Sequence, residues 1–147
     1  MEQTTRGIRN NNPLNIKFVK RNKWTGRVPE EQKTDPLFEE FTDMVYGLRA
    51  AIVLLRRSYI LSGYNTVRLI IKRWCPPGTE EKNNTTGYTR FVMERMRKAF
   101  PDMTQDTVMR WWEQDRIYRL VSAMAIMESG YKVTPELFGE AWQMLNK

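Results

Sequence analysis

Apolar residues recur at helical spacing over most of this chain, and the pattern begins near Thr42. Offsets of three and four residues place side chains on one face of an α-helix. The first predicted helix starts with Thr42 as its N-cap and ends at Gly63. Its apolar face consists of Val45, Leu48, Ile52, Leu55 and Tyr59.

Capping residues and prolines divide the rest of the chain into five more predicted helices. Pro76 and Pro77 end the second helix, and Pro101 ends the third. Thr134 followed by Pro135 is typical of a helix start, because proline fits the first helical position. The five helices are predicted to begin at Asn65, Thr85, Thr104, Asp115 and Thr134.

The first forty residues are different, being rich in Asn, Lys, Thr and Pro. Residues 14–19 (LNIKFV) alternate apolar Leu14, Ile16 and Phe18 with polar positions, as a half-buried strand does. Residues 24–28 are the predicted return strand of a small hairpin. The expected fold is therefore mostly α (α+β): one domain over residues 1–147, with about six helices and an N-terminal β-hairpin.

Glu128 interrupts an apolar helix face. In the segment DRIYRLVSAMAIMESG (residues 115–130), that face runs through Ile117, Val121 and Met124, and the next position on it is Glu128. A carboxyl group facing an apolar layer favours its neutral form, and a carboxylic acid poised near neutral pH can donate a proton to a leaving group. Two other roles remain open: a helix-terminal glutamate turned to solvent beside Gly130, or a member of a structural ion pair.

Composition restricts the available chemistry. Apolar residues make up 41% of the chain and aromatics 12%, which is typical of a globular protein and not of a disordered one. There is no histidine and a single cysteine, Cys75. Hydrolases with Ser-His or Cys-His centres need an imidazole, and zinc hydrolases normally need His or several Cys ligands. Carboxylates must therefore carry any acid–base chemistry, which favours glycoside cleavage without a metal or cofactor.

The formal net charge of +7 predicts an anionic partner: nucleic acid, an acidic membrane surface or a bacterial wall polymer. The basic residues are spread along the chain, which favours a solvated basic surface over a specific nucleic-acid site. The N-terminal residues contain no apolar stretch, so we expect no signal peptide. No apolar run approaches membrane-spanning length, so we expect no membrane span. The oligomeric state is left open.

Seven strings, in order along nearly the whole chain, resemble a lysozyme-like family of phages and prophages whose members are often labelled virion structural proteins. The strings are RGIRNNNPLNIKF (6–18), KWTG (23–26), TDPLFEEF (34–41), YGLRA (46–50), GYNTVRLIIKRWCPP (63–77), NNTTGY (83–88) and AMAIMESG (123–130). In this family the loop after the proline pair carries an acid, whose place Glu80 or Glu81 takes here.

A second resemblance concerns mechanism. The segment from Glu128 to Tyr131 (ESGY) is similar to the end of the catalytic helix of bacterial glucosaminidases and lytic transglycosylases, in which the glutamate is the catalytic acid. NNPLNIK (residues 11–17) resembles a strand that follows this helix in the glucosaminidases, with Pro13 and Asn15 as departures, and WTG (24–26) resembles their next turn. The order is reversed here, as expected of a circular permutation.

The resemblances imply a set of site residues. Glu128 would be the general acid, with Asp35 as a second carboxylate, although some lysozyme-like enzymes use a group of the substrate instead. The implied substrate-binding residues are Asn15, Trp24, Thr34, Arg73, Tyr88, Ser129 and Tyr131. Each also has a structural explanation, such as a turn aspartate before Pro36 for Asp35.

The function implied is cleavage of the glycan strands of bacterial peptidoglycan, by a lysozyme, lytic transglycosylase or glucosaminidase type of reaction. The bond cut and the form of the product stay open. The alternative is a non-catalytic virion-associated or wall-binding protein on the same scaffold. In either case the chain would be made in the bacterial cytoplasm and reach the wall through a phage particle or assisted export.

Overall fold

The computed structural model describes residues 4–78 and 84–145, and most of these residues are helical. Glu80 and Glu81 lie outside them. The α-helices are α1 (Arg6–Arg9), α2 (Met44–Val53), α3 (Val67–Trp74), α4 (Thr85–Ala99), α5 (Gln114–Ser129) and α6 (Pro135–Met144). A π-helical segment, Leu54–Tyr59, and a 3₁₀ turn, Ile60–Ser62, follow α2, and another 3₁₀ turn spans Glu30–Gln32. The mostly α class is confirmed.

The described residues form two units. Unit 1 consists of the described residues within Met1–Val53 and Met124–Lys147. Unit 2 consists of the described residues within Leu54–Ala123. The boundary between Ala123 and Met124 falls inside α5. The expectation of one domain over the whole chain stays a prediction.

The N-terminal hairpin is not confirmed. Residues 14–19 pair instead with the segment after Pro36, through the amide of Glu39 on the Ile16 carbonyl (2.9 Å) and the amide of Phe18 on the Leu37 carbonyl (2.9 Å). In the described part of the chain, the β-structure consists of two isolated antiparallel bridges, Lys17 with Phe38 and Arg27 with Phe41. The alternation within residues 14–19 was nevertheless informative, because Leu14 and Ile16 are buried and Lys17 is exposed.

Helix packing lies within each unit. In unit 1, α2 packs on α6, and the fully buried side chains include Leu14, Leu48, Ile52 and Phe138. In unit 2, α3 packs on α4, and the apolar faces predicted for these helices are buried at Ile70, Ile71, Val92 and Met96. Burial of these apolar faces supplies most of the stability that helices of this length need.

The helix predicted from Thr104 is wrong. Residues 104–112 form turns, because their backbone groups bond to the start of α3 and to side chains. The Gln105 carbonyl accepts from the amide of Arg68 (3.0 Å), and the amide of Met109 donates to the Asn65 carbonyl (2.8 Å). The Thr107 hydroxyl accepts from the amide of Thr104 (2.9 Å), a local alternative to helical bonding.

No helix in the described part of the chain combines the length and apolar character needed to cross a membrane.

Two glycines in unit 1 should respond oppositely to alanine. A Cβ on Gly47, in α2, would lie 1.9 Å from the carbonyl oxygen of Asn11, whereas a Cβ on Gly139, in α6, would meet nothing within 4 Å. We expect Gly47→Ala to lower the free energy of unfolding by about 1–3 kcal/mol through overpacking. Gly139→Ala should raise it by about 0.5–1 kcal/mol through helix propensity. Urea titration followed by circular dichroism measures both, and a neutral Gly47→Ala would contradict the close approach.

Candidate functional site

Glu128 lies in the last turn of α5, where the predicted apolar face ends. Ile117, Val121 and Met124 are fully buried, and Glu128 itself is half-buried. Gly130, directly after the helix, has a φ of +69°, the left-handed conformation in which glycine commonly ends a helix. The end of α5 therefore brings a carboxyl group to the margin of the buried layer.

The N-terminal segment of unit 1 anchors this last turn. The Asn15 side-chain amide donates to the Glu128 carbonyl (2.9 Å), and the Thr5 hydroxyl donates to the Ser129 carbonyl (2.7 Å). The Ser129 hydroxyl donates to the Pro13 carbonyl (2.9 Å). The final carbonyls of a helix lack partners within the helix, so these bonds fix the backbone that carries Glu128.

Close backbone approach makes this anchoring possible. A Cβ on Gly7 would lie 2.5 Å from the Cβ of Ser129, so a larger residue would push α1 away from the end of α5. Asn15 has a φ of +52°, a left-handed conformation that asparagine tolerates better than most residues. The Asn15 Oδ1 atom is buried and has no hydrogen-bond partner within residues 4–78 and 84–145.

The consecutive asparagines 10–12 hold the segment that follows Asp35. Asn10 donates to Asp35 Oδ2 (3.0 Å), Asn11 to the Phe41 carbonyl (2.9 Å) and Asn12 to the Glu39 carbonyl (3.1 Å). Side chains of the string RGIRNNNPLNIKF thus bond to a side chain and to backbone carbonyls of the string TDPLFEEF. Both strings belong to the resemblance, and within unit 1 they are hydrogen-bonded to each other.

Asp35 is buried within its own turn. Its Oδ1 atom accepts from the amides of Leu37 (2.9 Å) and Phe38 (3.2 Å), and its Oδ2 atom lies 3.1 Å from Arg6 Nε. Burial raises the pKa of Asp35, but the hydrogen bonds from Asn10 and the amides, together with the Arg6 charge, outweigh burial and hold that pKa below its ordinary value. The ionised carboxylate thus stabilises the turn from Asp35 to Phe38.

The lowered pKa of Asp35 predicts a pH-dependent stability. A carboxyl group with a lowered folded-state pKa stabilises the fold above its unfolded pKa of about 3.9, and this stabilisation is lost as pH falls through the folded pKa. Asp35→Asn should therefore destabilise unit 1 at pH 6, and its difference from wild type should shrink towards pH 2. Urea midpoints across this range measure the effect. Asp102→Asn, at an exposed position, is the control, and a pH-independent difference for Asp35→Asn would refute the role.

Three other predicted site residues also lie in unit 1. Thr34 is exposed, and its amide and hydroxyl contact Glu40 Oε1 (2.8 and 3.2 Å). Trp24 is half-buried, and its Nε1 atom has no hydrogen-bond partner within the described ranges. Burial, and to a lesser degree the nearby Asp43 charge, raise the pKa of Tyr131.

Arg73 and Tyr88 belong to unit 2. The Arg73 guanidinium lies over two aromatic rings, 4.2 Å from the centroid of Tyr59 and 4.6 Å from that of Tyr64, and donates to the Ser58 carbonyl. Tyr88 is buried on α4. Arg73 is therefore held by packing and is not a freely solvated charge.

Unit 2 also contains a basic groove of about 950 Å³ beside α3 and α4. Its cationic side chains are Arg68, Lys72, Arg90 and Arg97, and Asp102 is the acidic residue in its lining. Arg68 pairs with Asp106 (2.6 Å), which lies outside this lining. The groove can hold an anionic ligand. Among the residues described, no group of three or more His, Cys, Asp or Glu side chains could hold a metal ion.

The chain is similar to a phage protein. It is 40% identical over 97 residues to Protein P5 of Pseudoalteromonas phage PM2. The match covers 65% of this chain, and the chain spans 58% of the length of that relative. No protein-family model matches the chain. The relative supports the phage part of the sequence resemblance, and the lysozyme-like part stays a prediction.

Proposed function

We propose that this protein cleaves the glycan strands of bacterial peptidoglycan, with Glu128 as the general acid, on a circularly permuted lysozyme-like fold. The anchoring of the last turn of α5 by residues 13–15 carries the proposal. The ESG and NNPLNIK strings lie more than a hundred residues apart and in the reverse of the glucosaminidase order, yet Asn15 and Glu128 are in contact (2.9 Å). Contact between strings in swapped order is what a circular permutation predicts.

The chemistry requires a proton for the glycosidic oxygen and stabilisation of an oxocarbenium-like centre. Glu128 is half-buried and would supply the proton. Asn15 bonds to the Glu128 carbonyl and Thr5 to the carbonyl of the next residue, Ser129, so the backbone at Glu128 is held in place. Both oxygens of Asp35 are engaged, Oδ1 by amides of its own turn and Oδ2 by Asn10 and Arg6. This favours a reaction in which a group of the substrate completes the cleavage, with Asp35 as a positioning residue.

The other site residues divide into two groups under this proposal. Ser129 is buried and Asn15 bonds to the backbone, so both would position Glu128 and not touch the sugar. Trp24, Thr34 and Tyr131 in unit 1 remain proposed substrate contacts. In unit 2, Arg73 is exposed and remains a proposed contact, whereas Tyr88 is buried and its ring would support the fold instead of touching the sugar.

A second candidate function is wall binding without cleavage, as a virion-associated protein. The basic groove of unit 2 favours it, because Arg68, Lys72, Arg90 and Arg97 suit the carboxylates of peptidoglycan stem peptides. The similarity to a phage protein is compatible with either function. Delivery to the wall would then be by a phage particle or by assisted export.

Incubation of the protein with purified peptidoglycan sacculi separates the two candidates. Soluble fragments and sedimented protein are measured in the same sample. Release of fragments supports cleavage, sedimentation without release supports the binding protein, and the absence of both contradicts both.

A further inference from the structure

Two adjacent tryptophans lie exposed at the centre of a turn in unit 2. The turn comprises residues 110–113, hereafter the tryptophan turn, and Trp111 and Trp112 retain 41% and 57% of their accessible surface. Turn centres normally carry Gly, Pro, Asn, Asp or Ser. Neighbouring Val108 is also exposed, at 44%. Contiguous exposed apolar surface with charged groups at its rim is typical of an interaction site.

Hydrogen bonds hold the tryptophan turn in place. The amide of Glu113 donates to the Arg110 carbonyl (3.1 Å), and the Glu113 carboxylate accepts from the amide of Arg110 (2.6 Å). On one side Met109 is buried and bonds to the Asn65 carbonyl (2.8 Å). On the other side the Ile117 amide bonds to the Glu113 carbonyl (3.0 Å). The two indoles are therefore presented from a turn fixed at both ends.

The cations beside the indoles indicate the partner's chemistry. Arg56 lies 4.9 Å from the ring centroid of Trp111, and Arg110 lies 5.9 Å from that of Trp112. The two rings meet edge to face, with centroids 5.6 Å apart and an angle of 89°. Perpendicular rings flanked by guanidinium groups do not offer two parallel faces on which a sugar or base could stack.

We propose that the tryptophan turn docks the protein on the surface of an anionic phospholipid bilayer. Indole rings partition to the bilayer interface, where the ring is buried and the N–H group meets polar headgroups. Arg56 and Arg110 are placed to bind lipid phosphates while Trp111 and Trp112 insert between headgroups. The net charge of +7 adds long-range attraction to a negative surface. This docking is peripheral and does not depend on the proposed cleavage of peptidoglycan.

Co-sedimentation with lipid vesicles tests the docking. The full chain is mixed with vesicles of phosphatidylcholine alone and with vesicles containing one quarter phosphatidylglycerol. We expect the protein to bind the anionic vesicles about tenfold more strongly than the phosphatidylcholine vesicles. Added salt should weaken this binding. The double variant Trp111→Ala/Trp112→Ala should bind them roughly tenfold more weakly, and Arg110→Gln should lose part of the preference for phosphatidylglycerol.

Matched variants keep the test decisive. Leu37→Ala removes a side chain of unit 1 that is 61% exposed, and it should bind like wild type. Trp111→Phe/Trp112→Phe keeps the apolar rings and should retain most binding. It takes the place of the alanine variant if circular dichroism shows that the alanine variant does not fold. Equal binding of both vesicle types, or unchanged binding of the folded alanine variant, would overturn the proposal. If the folded alanine variant loses binding to sacculi but keeps binding to vesicles, the tryptophan turn is a wall contact, which would also overturn the proposal.

Discussion

Glu128→Gln is expected to lower the rate of fragment release from peptidoglycan by about 10²- to 10⁴-fold, the usual contribution of a positioned general acid. Glutamine has nearly the same size but cannot supply the proton that the leaving oxygen needs. The bonds that anchor the turn use the carbonyls of Glu128 and Ser129, so the substitution leaves them in place. The measurement is the initial rate of soluble muropeptide release from purified sacculi.

The matched control is Glu136→Gln, which removes an exposed carboxylate from the first turn of α6 in the same unit. We expect it to retain wild-type release. Both variants should sediment with sacculi as wild type does, because binding does not use the proton. Comparable release by Glu128→Gln and wild type would remove Glu128 from the chemistry, whereas equal losses in both variants would indicate a general effect on folding.

Arg27→Ala is expected to lower the free energy of unfolding by about 3–5 kcal/mol. Its partner Glu39 is fully buried, and the two side chains form a bidentate pair with both N–O distances at 2.9 Å. The guanidinium also lies 4.6 Å from the centroid of the Phe18 ring. Removal of Arg27 leaves an uncompensated buried carboxylate. Urea unfolding followed by circular dichroism measures the loss.

Arg68→Ala provides the comparison, because its pair with Asp106 in unit 2 is half-exposed. Exposed pairs contribute up to about 1 kcal/mol, so we expect a small effect. The double variant Arg27→Met/Glu39→Leu removes both buried charges and should recover much of the stability lost in Arg27→Ala. A cost below about 1 kcal/mol for Arg27→Ala would show that the Glu39 carboxylate finds water or another partner.

The helices could be predicted where local signals coincide. The segment expected at residues 115–130 is α5 (Gln114–Ser129), and α6 starts at Pro135 with the Thr134 hydroxyl capping the amide of Leu137 (3.2 Å), as its sequence indicated. For two helices the cap lies one residue from the predicted position, at Thr66 and at Asn84. Apolar periodicity and capping chemistry act within a few residues, so a single sequence contains them.

Long-range pairing could not be predicted in the same way. The alternation of residues 14–19 indicated an extended segment but not its partner, which is the segment containing Leu37 and Glu39. The apolar residues of 104–112 fit a helical pattern, yet backbone bonds to Asn65 and Arg68 hold them as turns. In both cases the bonding partners lie about twenty to forty residues away along the chain. The local pattern of apolar and polar residues does not show whether a backbone group bonds to such a partner or to water.

The candidate site shows the same division. The break in the apolar face of α5 pointed to Glu128. Ile117, Val121 and Met124 are buried and therefore apolar, so an acidic residue at the next position of the same face stands out in the sequence. Thr5 and Gly7 gave no such signal, because their role depends on contact with a helix end more than a hundred residues later. The asparagine-rich string carries no periodic signal, and only its resemblance to a family motif points to it.

Mass spectrometry of the fragments that wild-type protein releases from purified peptidoglycan tests glycan cleavage most directly. We predict disaccharide-peptides with a newly formed sugar end, either a reducing sugar or an anhydro sugar, and none of them in the Glu128→Gln digest. Fragments that differ from intact strands only in cleaved peptide bonds, or new sugar ends in equal amount from Glu128→Gln, would contradict it.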